Sequence, residues 1–272
     1  MRFKGEYLND KKNGKEKEYY ENGILLFEGE YYNNEKLKGK KYINGKLEYE
    51  GEYLFGKKWN GKGYDENNNI IYELNKGNGK VKEYNEYSKL YFDGEYLNGL
   101  RNGIGKEYNY NGILKYEGEF LNNKKNGYGK LYYDNGKLLY EGEFLNNKAN
   151  GNGKLYYNNG NLRYKGEYKN GIKNGNGKLY YDNGNLRYEG EFLNDQSSGK
   201  GKLYYDNGKL LYDGEFLNNK KNGQGKSYYD NGKLKYEGEL LNGKANGKGK
   251  FYNIGGDLIF DGEFSNGNFI KK

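Results

Sequence analysis

Cysteine, histidine, proline and threonine are absent from the 272 residues, and tryptophan and methionine occur once each. Without cysteine there are no disulfides and no thiolate chemistry. Without histidine as well, the Ser–His and Cys–His nucleophile pairs and the common transition-metal ligand sets are excluded. Long apolar runs are also missing: hydrophobic residues make up 33% and the mean hydropathy is −1.27. No leader or membrane-spanning helix is visible in the chain as given, which leads to the expectation of a cytoplasmic protein, although a removed leader would leave no trace.

What remains is unusual. So low a hydrophobic fraction suggests disorder, yet 18% of the residues are aromatic, with 35 tyrosines and 12 phenylalanines, beside 46 glycines. A repeat fold reconciles the two, because each unit buries a few large rings against its neighbours and needs no deep core. The net charge of +8 comes from lysines interleaved with glutamates, so no single-sign field builds up and specific nucleic-acid binding is not expected.

The repeat is explicit. Gly-Glu begins at Gly5, Gly29 and Gly51, then from Gly94 to Gly262 at every 24th residue. The interval from Gly51 to Gly94 holds a degraded unit around Tyr72–Lys80. About 12 units follow, regular over 94–272 and irregular over 30–93, in a single array spanning 1–272. Within a unit, two aromatic-rich runs alternate with Asn/Gly punctuation, as in Leu138–Leu145, then Gly153–Tyr157, then Asn158-Asn159-Gly160. Glycine arrives too often for helices, so each unit reads as two strands.

Asn-Gly between strand-like runs signals a two-residue type I′ turn. Placed at Asn159-Gly160, it pairs Tyr157 with Leu162 and Leu155 with Tyr164. Across the other, longer loop, Phe144 is expected opposite Gly153, Gly142 opposite Leu155 and Tyr140 opposite Tyr157, leaving room for each large side chain. One face then carries Leu138, Tyr140, Phe144, Leu155 and Tyr157. The other carries Glu141, Glu143, Lys154 and Tyr156, with Glu143 opposite Lys154 and Tyr156 and Tyr180 stacked on Arg163 and Arg187. Lys165 breaks the charge row by facing Lys154. The fold class expected is all-β: an elongated, single-layer, twisted antiparallel sheet made as a meander of β-hairpins. About 24 strands at ~4.8 Å spacing would make it on the order of 110 Å long.

The pattern Tyr140-Glu141-Gly142-Glu143-Phe144-Leu145-Asn146 through Gly151 and Gly153, with the segment Lys130–Leu138 between copies, resembles the MORN repeat in its bacterial variant form. That resemblance implies a solenoid-like rod with a shallow groove, acting as a scaffold. It further implies protein partners, self-association, phospholipid binding or, among bacterial variants, an antitoxin or immunity-type protein that wraps a toxin. The chain departs from the family where asparagine (Asn126, Asn150, Asn174) replaces the usual histidine.

Three features invite chemistry. Carboxylate pairs such as Glu141 and Glu143 could suit glycoside hydrolysis, but they recur in unit after unit, whereas a catalytic pair is unique; no catalytic residue, metal or cofactor is expected. Gly225-Lys226-Ser227 ends like a phosphate-binding loop, but Lys220 stands where its first glycine belongs. The loop lysines Lys124, Lys125, Lys148, Lys173, Lys220, Lys221 and Lys244 form either a rim for anionic headgroups or a solubilising edge, and the absence of an apolar anchor beside them favours the edge.

The expected function is a non-enzymatic scaffold that binds protein through an aromatic-lined groove formed by Tyr116, Phe120, Tyr140, Phe144, Tyr164, Tyr168, Tyr188 and Phe192. A homodimer through the uncapped end at Asp261–Phe264 is one form of this, and binding to anionic lipid is the second reading. Phe55, Trp59, Tyr84 and Tyr87 in the irregular unit form a further candidate site, since departures from a repeat cluster at functional places. The Asp195–Ser198 loop reads as neutral variation.

Overall fold

The computed structural model describes residues 2–270. Every element is a β-strand, from β1 (Arg2–Leu8) to β24 (Asn268–Phe269), and each sheet is an antiparallel meander of consecutive hairpins. The chain divides into two compact units. The first comprises residues 1–137 with 145–147, and the second 138–144 with 148–272. Within the first unit the sheet is interrupted between β7 (Ile70–Leu74) and β8 (Gly79–Tyr84), which share the bridge Asn75–Asn78 rather than a full ladder.

The two kinds of turn exchange the roles expected of them. The tight connection is the one within each Gly-Glu hairpin, where Asn146 and Asn147 both have positive φ (49° and 71°), as a type I′ turn requires. The Asn159-Gly160 connection is wider. Gly160 N–H donates to Tyr157 O and Tyr157 N–H to Asn161 O, both at 2.9 Å, and of the loop residues Gly160 alone has positive φ. That is a four-residue turn closed by a glycine bulge. Asn159 serves it through its side chain, whose Oδ1 accepts the Asn161 N–H at 2.9 Å.

The wider turn shifts the register beyond it by one residue. Leu155 pairs with Tyr164 as expected, but a bulge follows and Tyr156, not Tyr157, faces Leu162. The cations move accordingly: Arg163 lies 5.4 Å from the Tyr157 ring and Arg187 5.6 Å from Tyr181, rather than over Tyr156 and Tyr180.

Glycine faces glycine, not a large side chain. Gly153 pairs with Gly166 on β15 (Leu162–Lys169), and Gly166 with Gly177 on β16 (Ile172–Tyr180). The expected Gly142–Leu155 pairing gives way to a close approach of Gly142 to Gly153. The space is used by the tyrosine two residues upstream in the same strand. The Tyr164 ring lies across Gly166 and Gly177, so that a Cβ at either would sit within about 2.6 Å of ring atoms and the facing backbone.

The charge ladder runs along the opposite face. Glu28, Lys40, Glu50, Lys62 and Glu73 follow one another strand by strand in the first unit, and Asp213, Lys226, Glu237, Lys250 and Asp261 in the second. Lys165 interrupts it as expected, flanked by Lys154 and Lys178.

Candidate functional site

The eight predicted rings do come together, but as the core. In the second unit Tyr140–Phe144, Tyr140–Tyr168, Tyr164–Tyr168, Tyr164–Phe192 and Tyr188–Phe192 meet edge to face at 5.1–5.4 Å, and in the first Tyr116 meets Phe120 at 5.2 Å. Alternating edge-to-face contact is the arrangement that ring quadrupoles favour. None of the eight is more than 9% exposed. This corrects the groove: a one-layer sheet buries these rings against each other, so they have almost no area to give a partner. The expected open end at Asp261–Phe264 is capped only in part: β24 pairs with Phe264 and Ser265, and Phe269 stacks on Phe260 at 4.5 Å and touches Phe264 at 5.4 Å.

The tyrosine two residues before the Gly-Glu glycine also closes a polar gap. The Gly-Glu strand bulges between the glycine and the aromatic residue that follows, as between Gly166 and Tyr168. A bulge leaves backbone groups unpaired. Tyr164 Oη donates to the carbonyl of the bulged Glu167 at 3.1 Å, and Tyr116, Tyr188, Tyr212 and Tyr236 do the same three residues ahead. The carboxylate of Glu167 accepts the N–H of Asn176 at 3.0 Å, as Glu143 does for Asn152. Glu143 is therefore not the ionic partner of Lys154, which pairs with Glu141 at 2.8 Å. Glu167→Ala should cost about 1 kcal/mol of stability in urea unfolding, and Glu167→Gln, which keeps an acceptor, should recover more than half of it. Equal losses would dismiss the hydrogen bond.

Three loop lysines thought to lie along the rim turn inward. Lys125, Lys173 and Lys221 place Nζ over the rings of Tyr116, Tyr164 and Tyr212 at 5.1, 5.4 and 4.7 Å. In the first unit the equivalent cations meet acids on this face. Lys12 and Lys36 hold Glu18 at 2.8 and 2.9 Å, Lys58 and Lys41 hold Glu48 at 2.5 and 3.3 Å, and Arg101 holds Glu83 at 2.9 Å. Burial alone would raise these carboxyls, but the cations outweigh it, and Glu18, Glu48 and Glu83 all lie below the usual carboxylate range. Sequence reasoning missed this network. Its signal is present once the units are aligned: Glu18, Glu83 and Glu107 stand where the second unit has Leu155, Leu179 and Leu203.

The irregular-unit candidates do not converge. Phe55 is 75% exposed at a turn tip, with φ of 49°. Trp59 is half-buried, and its carbonyl accepts the Gly77 N–H at 2.7 Å, bridging the sheet interruption. Tyr84 and Tyr87 line a cavity of about 440 Å³ at the opposite turns, beside Glu48, Glu66 and Lys46. Asp195, read as neutral variation, does what asparagine does elsewhere: its Oδ1 accepts, and its N–H donates to, the backbone of Lys173 at 2.9 and 3.0 Å, as Asn219 does with Ser197.

The exposed apolar side chains follow the same period. Leu193, Leu217 and Leu241 in the second unit and Leu97 and Leu121 in the first are each about half exposed, at the last strand position before the tight turn. The residue paired with Leu121, Leu217 and Leu241 is in each case a lysine: Lys124, Lys220 and Lys244. An apolar anchor therefore does sit beside the rim lysines.

The signature of the MORN repeat matches residues 92–113, 116–137, 140–162, 164–186, 188–209, 212–233 and 236–257, and that of the MORN repeat variant matches 12–34. The chain belongs to the MORN-repeat family. The signatures mark eight copies rather than about twelve, and the variant form is confined to the first of them, while the regular MORN units match the ordinary repeat. No curated protein matches the chain in sequence. Among solved structures, TcdB2-TccC3 is 10% identical with a TM-score of 0.18, over 93% of this chain and 19% of that one. TcdB2-TccC3-Cdc42 is 11% identical with a TM-score of 0.17, over 93% and 18%. The chain thus spans about a fifth of the length of these chains. MORN repeats form a non-enzymatic repeat family whose members mediate protein or membrane interactions. Among the described residues no helix is long and apolar enough to cross a membrane, and no group of three or more acids could hold a metal ion.

Proposed function

We propose that this MORN protein is a non-enzymatic scaffold that binds a protein partner along the leucine-bearing edge of its hairpins. The observation that carries the reading is the periodic row of half-exposed leucines, set before the tight turns and outside the buried ring ladder. Side chains with that exposure give the core only part of their area, and apolar area repeated along an edge is what an extended partner would use. A second copy of the chain and a wrapped toxin are both partners of this kind.

The test is the triple variant Leu193→Ser, Leu217→Ser, Leu241→Ser. A partner captured by the wild-type protein, or the wild-type's own self-association by light scattering, should weaken at least about tenfold. The urea midpoint should fall only modestly, with the protein still folded at the concentrations used for binding. Retention of full affinity would place the contact elsewhere. The lysines opposite the leucines favour one further reading, an anionic membrane. Under it, wild-type protein would co-sediment with phosphatidylserine vesicles and be released by salt, and the triple variant would not bind.

A further inference from the structure

Lys221 differs from its counterparts. In other units the inward cation finds a carboxylate at one of four places: six residues ahead (Lys12 with Glu18), ten behind (Lys58 with Glu48), eighteen behind (Lys36 with Glu18, Arg101 with Glu83, Lys125 with Glu107) or twenty-two ahead (Lys173 with Asp195). Counted from Lys221, those places hold Ser227, Leu211, Leu203 and Gly243. Among the described residues its nearest polar partner is Ser227 Oγ, at 3.5 Å.

The same exchange opens a cavity. Ser227 stands where the repeat before has Leu203 and the repeat after has Phe251. The missing side-chain volume contributes to a cavity of about 330 Å³ between the rings, lined by Lys221, Ser227, Lys235, Tyr228, Phe251 and Phe264 among others. That volume lies at the low end for small-molecule sites. Two ammonium groups and a hydroxyl line it, with apolar walls, and no acidic side chain is among the lining residues.

We propose that this cavity is a binding site for a small organic monocarboxylate, with the carboxylate on Lys221 and Ser227 and an aromatic or aliphatic body against Tyr228, Phe251 and Phe264. One negative charge matches Lys221, an inward cation with a carboxylate at none of these four places, and the walls reward an apolar body rather than a fully hydrated anion. Burial, with Lys235 adding a like charge, pushes Lys221 down to about 8. A bound carboxylate acts against both effects, so its affinity falls as pH rises through that value. The other titratable groups lining the cavity are Lys235 and the phenols of Tyr205, Tyr228 and Tyr236, the last pushed up to about 12 by burial.

The probe is 2-naphthoate, titrated calorimetrically into the full chain beside its neutral analogue 2-naphthamide. Saturable binding of naphthoate, at least about tenfold tighter than naphthamide, is expected. Lys221→Met should bring naphthoate to the level of naphthamide, while Lys220→Met, on the exposed neighbour, should change nothing. Ser227→Leu restores the packing of Leu203 one repeat earlier, so it should fold normally and lose both ligands. Three results would each overturn the site: no saturable naphthoate binding up to about 10 mM, equal affinity for the amide, or undiminished binding to Lys221→Met or Ser227→Leu. None of these depends on the leucine edge.

Discussion

Gly177→Val should destabilise the second unit by about 3 kcal/mol, measured as a loss of urea midpoint. The cause is packing, not backbone strain, because Gly177 is not among the glycines with positive φ. A Cβ there would lie 2.6 Å from Tyr164 Cε2 and 2.7 Å from Cζ. The ring cannot retreat while Tyr164 Oη holds the Glu167 carbonyl and its edge contacts Tyr168 and Phe192 at 5.2 and 5.3 Å. Displacing it forfeits a buried aromatic contact and a hydrogen bond together. The chain contains its own controls. Val81 and Glu16 occupy the equivalent position, facing Gly94 and Gly5. They are tolerated because no ring lies over them: Tyr72 covers Gly63 instead, and Phe3 is pushed out to 43% exposure. Gly160→Asn is the engineered control. That turn position has positive φ but open space, and asparagine adopts such φ values, so the cost should stay near 1 kcal/mol or below. Comparable losses for the two variants would mean that glycine is kept for backbone freedom rather than for the ring.

The contrast between those two glycines marks what was legible in the sequence. The 24-residue period, the strand pairs and the existence of both turns could be read directly, because they rest on local residue types. The assignment of turn geometry could not. Asn-Gly at 159–160 satisfies the statistics of a type I′ turn, but a wider turn also wants glycine at its last position and uses asparagine through its side chain. The one-residue shift that follows is enough to move each arginine from one tyrosine to the next. The glycine pairs were misjudged for a related reason. Room was assumed to be needed by the side chain across the ladder, whereas it is taken by the tyrosine upstream in the same strand.

The lysines show a different limit. Read by charge, Lys125, Lys173 and Lys221 belong on the rim with Lys124 and Lys220. Alternation along the strand puts the second residue of each pair over the rings, where a long aliphatic stem can lie against an apolar surface and carry the ammonium to whatever acid is near. Whether an acid is near depends on positions 6, 10, 18 and 22 residues away, and only the folded register shows which of these matter. The irregular stretch was sensibly singled out, but its aromatics separate to opposite turns. What is distinctive in it is Glu48 and Glu83, which composition alone cannot tell from the many glutamates on the solvated face.

Glu48 is accordingly where the largest charge effect is expected. It is 4% exposed and held by Lys58 and Lys41, with Lys58 also donating to Tyr72 Oη at 2.9 Å. Glu48→Gln keeps the shape but leaves Lys58 buried without its counter-charge, and should cost the first unit about 3 kcal/mol. The double variant Glu48→Leu with Lys58→Met removes both charges and should recover most of that loss, since a buried pair replaced by apolar groups is often near neutral. Acid should act on the same groups. Glu18, Glu48 and Glu83 have folded pKa values below those of the unfolded chain, so their contribution is complete above the unfolded value of about 4.3 and is lost as pH falls through the folded values. Glu16 works the other way: burial raises it, so its ionisation opposes folding above the unfolded value. Hydrogen exchange below pH 4 should show protection lost first in β2 (Lys11–Tyr19), β5 (Lys46–Leu54) and β8, the strands that carry Glu18, Glu48 and Glu83. In the second unit the lowered acids Glu189 and Glu237 face solvent and contribute little. Uniform loss of protection across both units, or a double variant as unstable as Glu48→Gln, would show that the inward ion pairs are not what holds the first unit together.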